Sequence, residues 1–353
     1  MAISFMHRRA AGGSKDWSRE YLTFTAVESS VFTWAQRAAS GTLEYSLDDG
    51  VTWVVIADGD STPTVSAGSK VRWRGNLRPT YSTTNVATTA GIGTFSSTGN
   101  YKCRGNIQSL LFGDAFHGTQ LSGNDFRCAY ACLFYQDTHL LTAPVLPATT
   151  LAGHCYRSMF SGCTSLTQAP ELPATTLAMY CYYQMFYGCT SLTQAPELPA
   201  TTLATYCYYY MFRSCTSLTQ APELPATTLT TYCYSYMFYG CTSLTQAPEL
   251  PVTTLATYCY YYMFQGCSSL TQAPELPATT LASNCYYYMF YGCTSLTYVK
   301  CLATDISADN CTYLWMNNVR SGGTFVKAAG MEDWPRTTSG IPASWTVEDE
   351  VNA

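Results

Sequence analysis

The sequence predicts an α+β chain: a small N-terminal antiparallel β-sandwich-like domain, then a solenoid of 26-residue coils, then a C-terminal cap. Three observations carry this. The block CTSLTQAPELPATTL begins at Cys163, returns with small changes at Cys189, Cys215, Cys241 and Cys267, and starts once more at Cys293. Self-similarity at a fixed period of 20–50 residues marks a stacked array, because one such unit cannot bury an apolar face alone. Ahead of the array, LEYSL and VTWVVI flank Asp48-Asp49-Gly50, and an Asp-Gly turn between alternating runs signals a hairpin. Inside each repeat, an extended stretch with two prolines precedes a stretch whose apolar residues lie four apart.

The elements follow in order. Residues 1–19 form a polar, slightly basic tail carrying His7, Arg8, Arg9 and Lys15, suited to a docking arm or to disorder. Residues 20–104 have strand chemistry: YLTFTAV alternates, and TPTVSAGSKVRWRGN reads as two more short strands around Ala67-Gly68. Short strands with regular turns suggest an Ig-like or other small sandwich. The solenoid spans 105–316. LLTAPVLPATTL from Leu140 fits the repeat template, and a more decayed coil precedes it around Ile107 to Phe116. After Cys311 the pattern breaks, and residues 317–353 read as a cap, since terminal repeats must cover the exposed core.

In the coil from Cys189 to Ser214, Pro196 and Pro199 rule out a helix and suit an extended segment. Leu203, Cys207 and Met211 then lie four apart, one face of a helix or a tight helical turn. One extended and one helical stretch per 26 residues is the leucine-rich-repeat plan, whose period runs about 20–29. The run MFYGCTSLTQAPELPATTLATYCYYYMF resembles the leucine-rich repeats of BspA-like surface proteins, which share a Phe-x-x-Cys-x-x-Leu core. The likeness covers about residues 105–320 and departs from the common form in its longer period and Pro-rich strand. The C-terminal segment, with CLATDISADNC and GTFVKAAGMEDW, is similar to endings on such proteins from gut bacteria and their phages. The resemblance implies adhesion and surface display, and it supplies no catalytic residues.

Twelve of the 17 cysteines fall in a regular C-x7-C pair, from Cys155 and Cys163 to Cys285 and Cys293. Zinc sites favour tighter pairs. Free thiols packed as small hydrophobes in two columns are the main expectation, with disulfides the alternative. A tyrosine follows the first cysteine of most coils (Tyr182, Tyr208, Tyr234, Tyr260, Tyr286); stacking along the solenoid is its ordinary explanation, and stacking against a glycan is the alternative.

The copies differ mainly in the second half of the coil, at positions i, i+4 and i+8. These place Arg157, then Tyr183 and Tyr187, then Tyr209 and Arg213, on one face. Tyr239, then Tyr261 and Gln265, then Tyr287 and Tyr291, continue it. Tyrosine with small polar residues and arginine is the palette of a binding surface, and these residues are the candidate ligand site. Drift after duplication is the competing explanation, but it would also bring Lys, Glu and Asp, which none of these positions holds. A second row, Glu171, Glu197, Glu223, Glu249 and Glu275, reads as a solvated edge that discourages aggregation. Its alternative is a ladder for a cation such as Ca²⁺.

Charged residues are only 12% of the chain and the net charge is −5. With Arg157 and Arg213 the only basic residues between Ala129 and Gly292, no phosphate-tracking stripe exists, and a nucleic-acid partner is not expected. The four histidines form no metal spacing, and no nucleophile elbow, P-loop or zincin motif occurs. No catalytic residue, resident metal or cofactor is expected. The opening MAISFMHRRAAGGSKDW lacks the apolar core of a secretion signal and no 18-residue apolar run follows, so synthesis in a host cytoplasm without membrane insertion is expected. The leading expectation is a non-enzymatic phage virion component, fibre-like or decorative. It would join virion proteins through its N-terminal region and bind a cell-surface glycan or protein of a bacterium, or mucin, through the array. A fibre-like role implies a homo-oligomer, a trimer in the common case. The alternatives are a BspA-like adhesin on a bacterial cell surface and a purely structural virion spacer.

Overall fold

The computed structural model describes residues 19–80, 91–116, 120–332 and 334–351. The expected docking tail, apart from Arg19, lies outside them. The first part of the chain forms strands β1 (Leu22–Ala26), β2 (Phe32–Gln36), β3 (Ala39–Ser40), β4 (Leu43–Ser46), β5 (Val54–Ile56), β6 (Lys70–Gly75), β7 (Arg78–Pro79), β8 (Gly93–Ser97) and β9 (Tyr101–Arg104). The next are β10 (Gln120–Leu121), β11 (Leu140–Thr142) and β12 (Thr150–Leu151). The largest sheet runs β11-β9-β1-β6-β4-β5. All its pairings are antiparallel except β11 with β9, which is parallel. Period-two alternation puts Leu22, Phe24 and Ala26 of β1 and Val71 and Trp73 of β6 inside. The β2–β8 ladder lies against this sheet, with Phe24 5.3 Å from Phe32 and 5.0 Å from Phe95 between ring centroids.

The hairpin expected around Asp48-Asp49-Gly50 forms as β4–β5, but with a longer loop than an Asp-Gly turn needs. Asp48 organises that loop by accepting from Thr52 N at 2.9 Å, Thr52 Oγ1 at 2.6 Å and Ser46 Oγ at 2.7 Å. Those bonds, from Thr52 first, hold its carboxyl down at about 2.

No linker separates the β unit from the coils. Besides β9–β11, Phe95 N donates to Leu133 O at 2.8 Å and Ile92 N to Ala129 O at 3.3 Å. At Gly91, φ is +109° and a Cβ would sit 2.3 Å from the carbonyl oxygen of Ala131, so only glycine allows this approach. The main sheet thus crosses the boundary expected at residue 104 and closes the N-terminal end of the solenoid core.

The chain is mostly β, with a solenoid of about nine turns; the expected α+β class needs correcting. Among the described residues the only α-helix is the single turn Ser109–Phe112. The apolar, Tyr-rich half of each coil is a ribbon of overlapping turns. In one coil Cys207 N, Tyr209 N, Met211 N, Arg213 N and Cys215 N each donate to the carbonyl three residues back. The residues between them, Tyr206, Tyr208, Tyr210, Phe212 and Ser214, donate to carbonyls of the next coil at 2.7–3.4 Å. Every fourth residue is left-handed: Tyr206 at φ 57°, Tyr210 at 60°, Ser214 at 60°. Positive φ at the third position of a turn is the type II requirement, and it breaks any helix. The ribbon shares with a helix a near-four-residue spacing of inward side chains, which is why the sequence pattern suggested one.

The proline stretch is extended as expected, with Pro196, Leu198 and Ala200 buried and Glu197 and Pro199 exposed. It makes only isolated parallel bridges to its neighbours, at Gln194↔Gln220 and Thr202↔Thr228 for example. The C-terminal segment adds further coils: β13 (Tyr298–Cys301), β14 (Thr324–Lys327) and β15 (Thr346–Asp349) form a parallel sheet. Trp315 stacks on Trp334 at 5.5 Å, and Ile341 and Trp345 are buried.

Candidate functional site

In the ribbon from Cys207 to Ser214 the side chains go two in and two out. Cys207 and Tyr208 are buried, Tyr209 and Tyr210 half-buried, Met211 and Phe212 buried, Arg213 and Ser214 half-buried. The inward pairs build columns that are part of the core. Tyr182, Tyr208, Tyr234 and Tyr260 stack at 5.7–5.9 Å and are buried, so they offer no surface to a ligand. Both cysteine columns are free thiols and buried. In the second column each thiol donates to the Phe carbonyl of the preceding coil, Cys189 to Phe160 at 3.0 Å and Cys215 to Phe186 at 3.0 Å. Burial pushes these thiols up, Cys241 to about 12.

The outward pairs form the candidate face, and they include the residues read from the sequence. Tyr183 stacks on Tyr209 at 5.4 Å, and Tyr261 on Tyr287 at 4.9 Å. Arg157 lies 4.9 Å over the Tyr183 ring. Arg213 lies over three rings, Tyr239 at 4.5 Å, Tyr210 at 5.0 Å and Tyr187 at 5.4 Å. Gln265 is half-buried at the same level of its coil, and Tyr291 Oη accepts from Asn318 Nδ2 at 2.9 Å. The row breaks once. Ser235 is buried, its Oγ donating to Tyr258 O, and Tyr236 leans into the gap to meet Tyr209 at 5.5 Å and Tyr261 at 5.4 Å.

Half of this face was missed. The left-handed residues also point outward and form two columns of their own. Tyr180, Tyr206, Tyr232 and Tyr258 stack at 4.4–4.7 Å beyond the buried His154, and Tyr210, Tyr236, Tyr262 and Tyr288 follow one another at 4.4–4.7 Å. A helical reading assigns one residue in four to the outer face where the ribbon assigns two. The available signal was the unbroken Cys-Tyr-Tyr-Tyr-Met-Phe string, which has more tyrosines than one buried column can use.

Burial raises the phenol of Tyr183, against a lowering by Arg157, and burial likewise raises those of Tyr209 and Tyr236. These hydroxyls therefore stay protonated, able to donate as well as accept. Burial, then Arg157 and Arg127, drop His154 to about 4, which leaves it neutral.

The glutamates stand elsewhere, in an exposed row on the proline strands. A shallow groove between two strands is lined by Pro170, Glu171, Pro173, Pro196, Glu197 and Pro199. The row is closed by Lys300, which pairs with Glu275 at 3.1 Å and Glu350 at 2.9 Å. Among the described residues no three His, Cys, Asp or Glu side chains come together as a metal site would require, so the row does not assemble a three-ligand cation site. No described helix is long and apolar enough to cross a membrane.

Parallel coils of one extended strand and one returning ribbon, repeated every 26 residues, define a leucine-rich-repeat solenoid. The BspA type leucine rich repeat region matches the chain in six copies, over residues 134–271 and 205–317. The matched span is more than half of the sequence, and the chain belongs to that family, whose repeat proteins are of the surface and adhesion type and generally non-enzymatic. No curated protein and no solved structure matches it.

Proposed function

We propose that the protein is a non-enzymatic receptor-binding component of a phage particle, with the solenoid presenting its turn face to a glycan or protein of a bacterial or mucosal surface. The observation that carries the binding part is the face itself. Its side chains vary between coils whose strands scarcely change, and apart from the exposed Met179 they are tyrosine, arginine, glutamine and small residues. Large rings with few rotatable bonds give contact area at low entropic cost. The β unit on the first coil and the sandwich-like N-terminal region would serve as the anchor. The particle assignment rests on the likeness of the C-terminal segment to phage-associated repeat proteins. Membership of the BspA-type family favours a second reading, an adhesin on a bacterial surface.

The test is binding of labelled full-length protein to intact gut bacteria and to mucin, beside a triple variant Tyr183→Ser, Tyr209→Ser, Tyr261→Ser. Loss of binding in a variant that still melts cooperatively supports the face. Full binding by the variant overturns it. Copurification with virions, against recovery in a bacterial envelope fraction, separates the two readings.

A further inference from the structure

Charge is sorted by face in this solenoid. The proline strands carry the glutamates, whereas the ribbons from Arg127 to Gly292 have no Asp or Glu at any outward position. Their charged side chains are Arg127, Arg157 and Arg213. Arg213 is the best defined. Three tyrosine rings from three successive coils hold its guanidinium, and its buried Nε has no hydrogen-bond partner among the described residues. A planar cation braced by rings has lost its rotamer freedom before any ligand arrives, and its donor fork matches a carboxylate or sulfate.

The tyrosines around it narrow the ligand further. Column neighbours lie 4.4–4.7 Å apart with their faces turned on each other, so an approaching molecule meets ring edges and hydroxyls more than open ring faces. A tyrosine hydroxyl recurs over four successive coils in each column, Tyr180 to Tyr258 and Tyr210 to Tyr288. Such a surface suits a chain of repeated hydroxylated units better than a peptide of unique sequence. A nucleic acid would need a row of cations tracking its phosphates, and the face has three arginines, Arg127 and Arg157 in adjacent coils and Arg213 two coils further on.

We infer that the turn face binds an acidic polysaccharide, with a sugar carboxylate or sulfate seated on Arg213 and neighbouring sugar hydroxyls on the tyrosine rows. This rests on the proposed binding role of that face and names its ligand class. The test uses full-length protein against chondroitin sulfate, its desulfated form, polysialic acid and neutral dextran. The variants are Arg213→Met, which keeps the stem between the rings, Arg213→Lys, and Tyr209→Ser. Thermal melting checks that each is folded.

The expected result is binding to at least one acidic chain with little to dextran, weakening steeply between roughly 50 and 500 mM salt. Arg213→Met should lose about tenfold or more in affinity, and Arg213→Lys should recover part of it. Sulfated against desulfated chondroitin, and either against polysialic acid, tells sulfate from carboxylate. Dextran bound as well as the acidic chains, or a folded Arg213→Met with unchanged affinity, overturns the inference. In that case loss on Tyr209→Ser leaves the binding face standing. Binding only to an acidic peptide such as polyglutamate overturns the polysaccharide assignment. No binding to any glycan, with mucin and cell binding also absent, removes the inference and the receptor-binding reading together.

Discussion

The proline strand and the turn ribbon of one coil send their backbone hydrogen bonds to different places. The strand touches the next coil at a few points, such as Thr227 N to Thr201 O at 2.9 Å, because proline has no N–H to give and its alternate side chains do the packing. The ribbon donates to the next coil at every second residue. Cohesion between coils therefore runs through the half whose sequence varies most. The lesson is that a ribbon held by main-chain bonds leaves its outward side chains free to change. The strand has no such freedom: its prolines, leucines and alanines fill fixed places against the core.

This contrast can be broken from the ribbon side first. Phe212→Ala removes a buried ring stacked between Phe186 at 5.5 Å and Phe238 at 5.7 Å. It should cost about 3–5 kcal/mol in denaturant unfolding. Next, Tyr210→Pro forbids the positive φ and deletes the 3.1 Å bond to Ser235 O. A loss of about 3 kcal/mol is expected, where Glu197→Pro on the strand should be far milder. A cost near that of Tyr210→Pro for the strand variant would break the comparison.

The thiol column gives a smaller effect. Cys215→Ala removes the donor to Phe186 O and should cost about 1 kcal/mol. With burial holding the thiols protonated, a disulfide reagent should label none of the described cysteines in the native protein and all of them in denaturant. Rapid native labelling would show coils that open one at a time.

Asp137 sharpens the comparison at the junction. It occupies the slot that Cys163 fills one coil later, and there it accepts from Tyr101 Oη at 2.7 Å. Its carboxyl is raised, burial outweighing the bonds from Tyr101 and His139. A raised native value means the folded state binds this proton more tightly than the unfolded one. The contribution is full below the ordinary carboxylate range and is lost as pH rises through the native value. Asp137→Asn should remove that loss, so the variant gains on the wild type as pH rises through this window in urea titrations. An equal slope for both proteins would contradict it. The smallest expected effect is Glu223→Gln on the strand row, within about 0.5 kcal/mol.

Much of this was legible beforehand. The 26-residue period, the extended proline segment, the buried Tyr182-to-Tyr286 column and the free cysteines could all be read from repetition and from side-chain chemistry. So could the outward placing of Arg157, Tyr183 and Arg213. The helix could not be excluded, because apolar residues four apart fit a helix and a two-in, two-out ribbon alike. Nothing local marks Tyr206 or Tyr210 as left-handed. Tyrosine seldom adopts positive φ by itself, and here the bonds to the coils above and below hold it there. For the same reason Ser235, which falls in the row of Tyr209 and Tyr261, is turned inward by its bond to Tyr258 O.

By itself the sequence determined the array, its period and its chemistry, since a repeated block must stack and must stack like on like. The tertiary structure decided the backbone path, and with it which tyrosines reach solvent. Each ribbon takes its conformation from bonds made to the neighbouring coil, and those exist only once the coils are together.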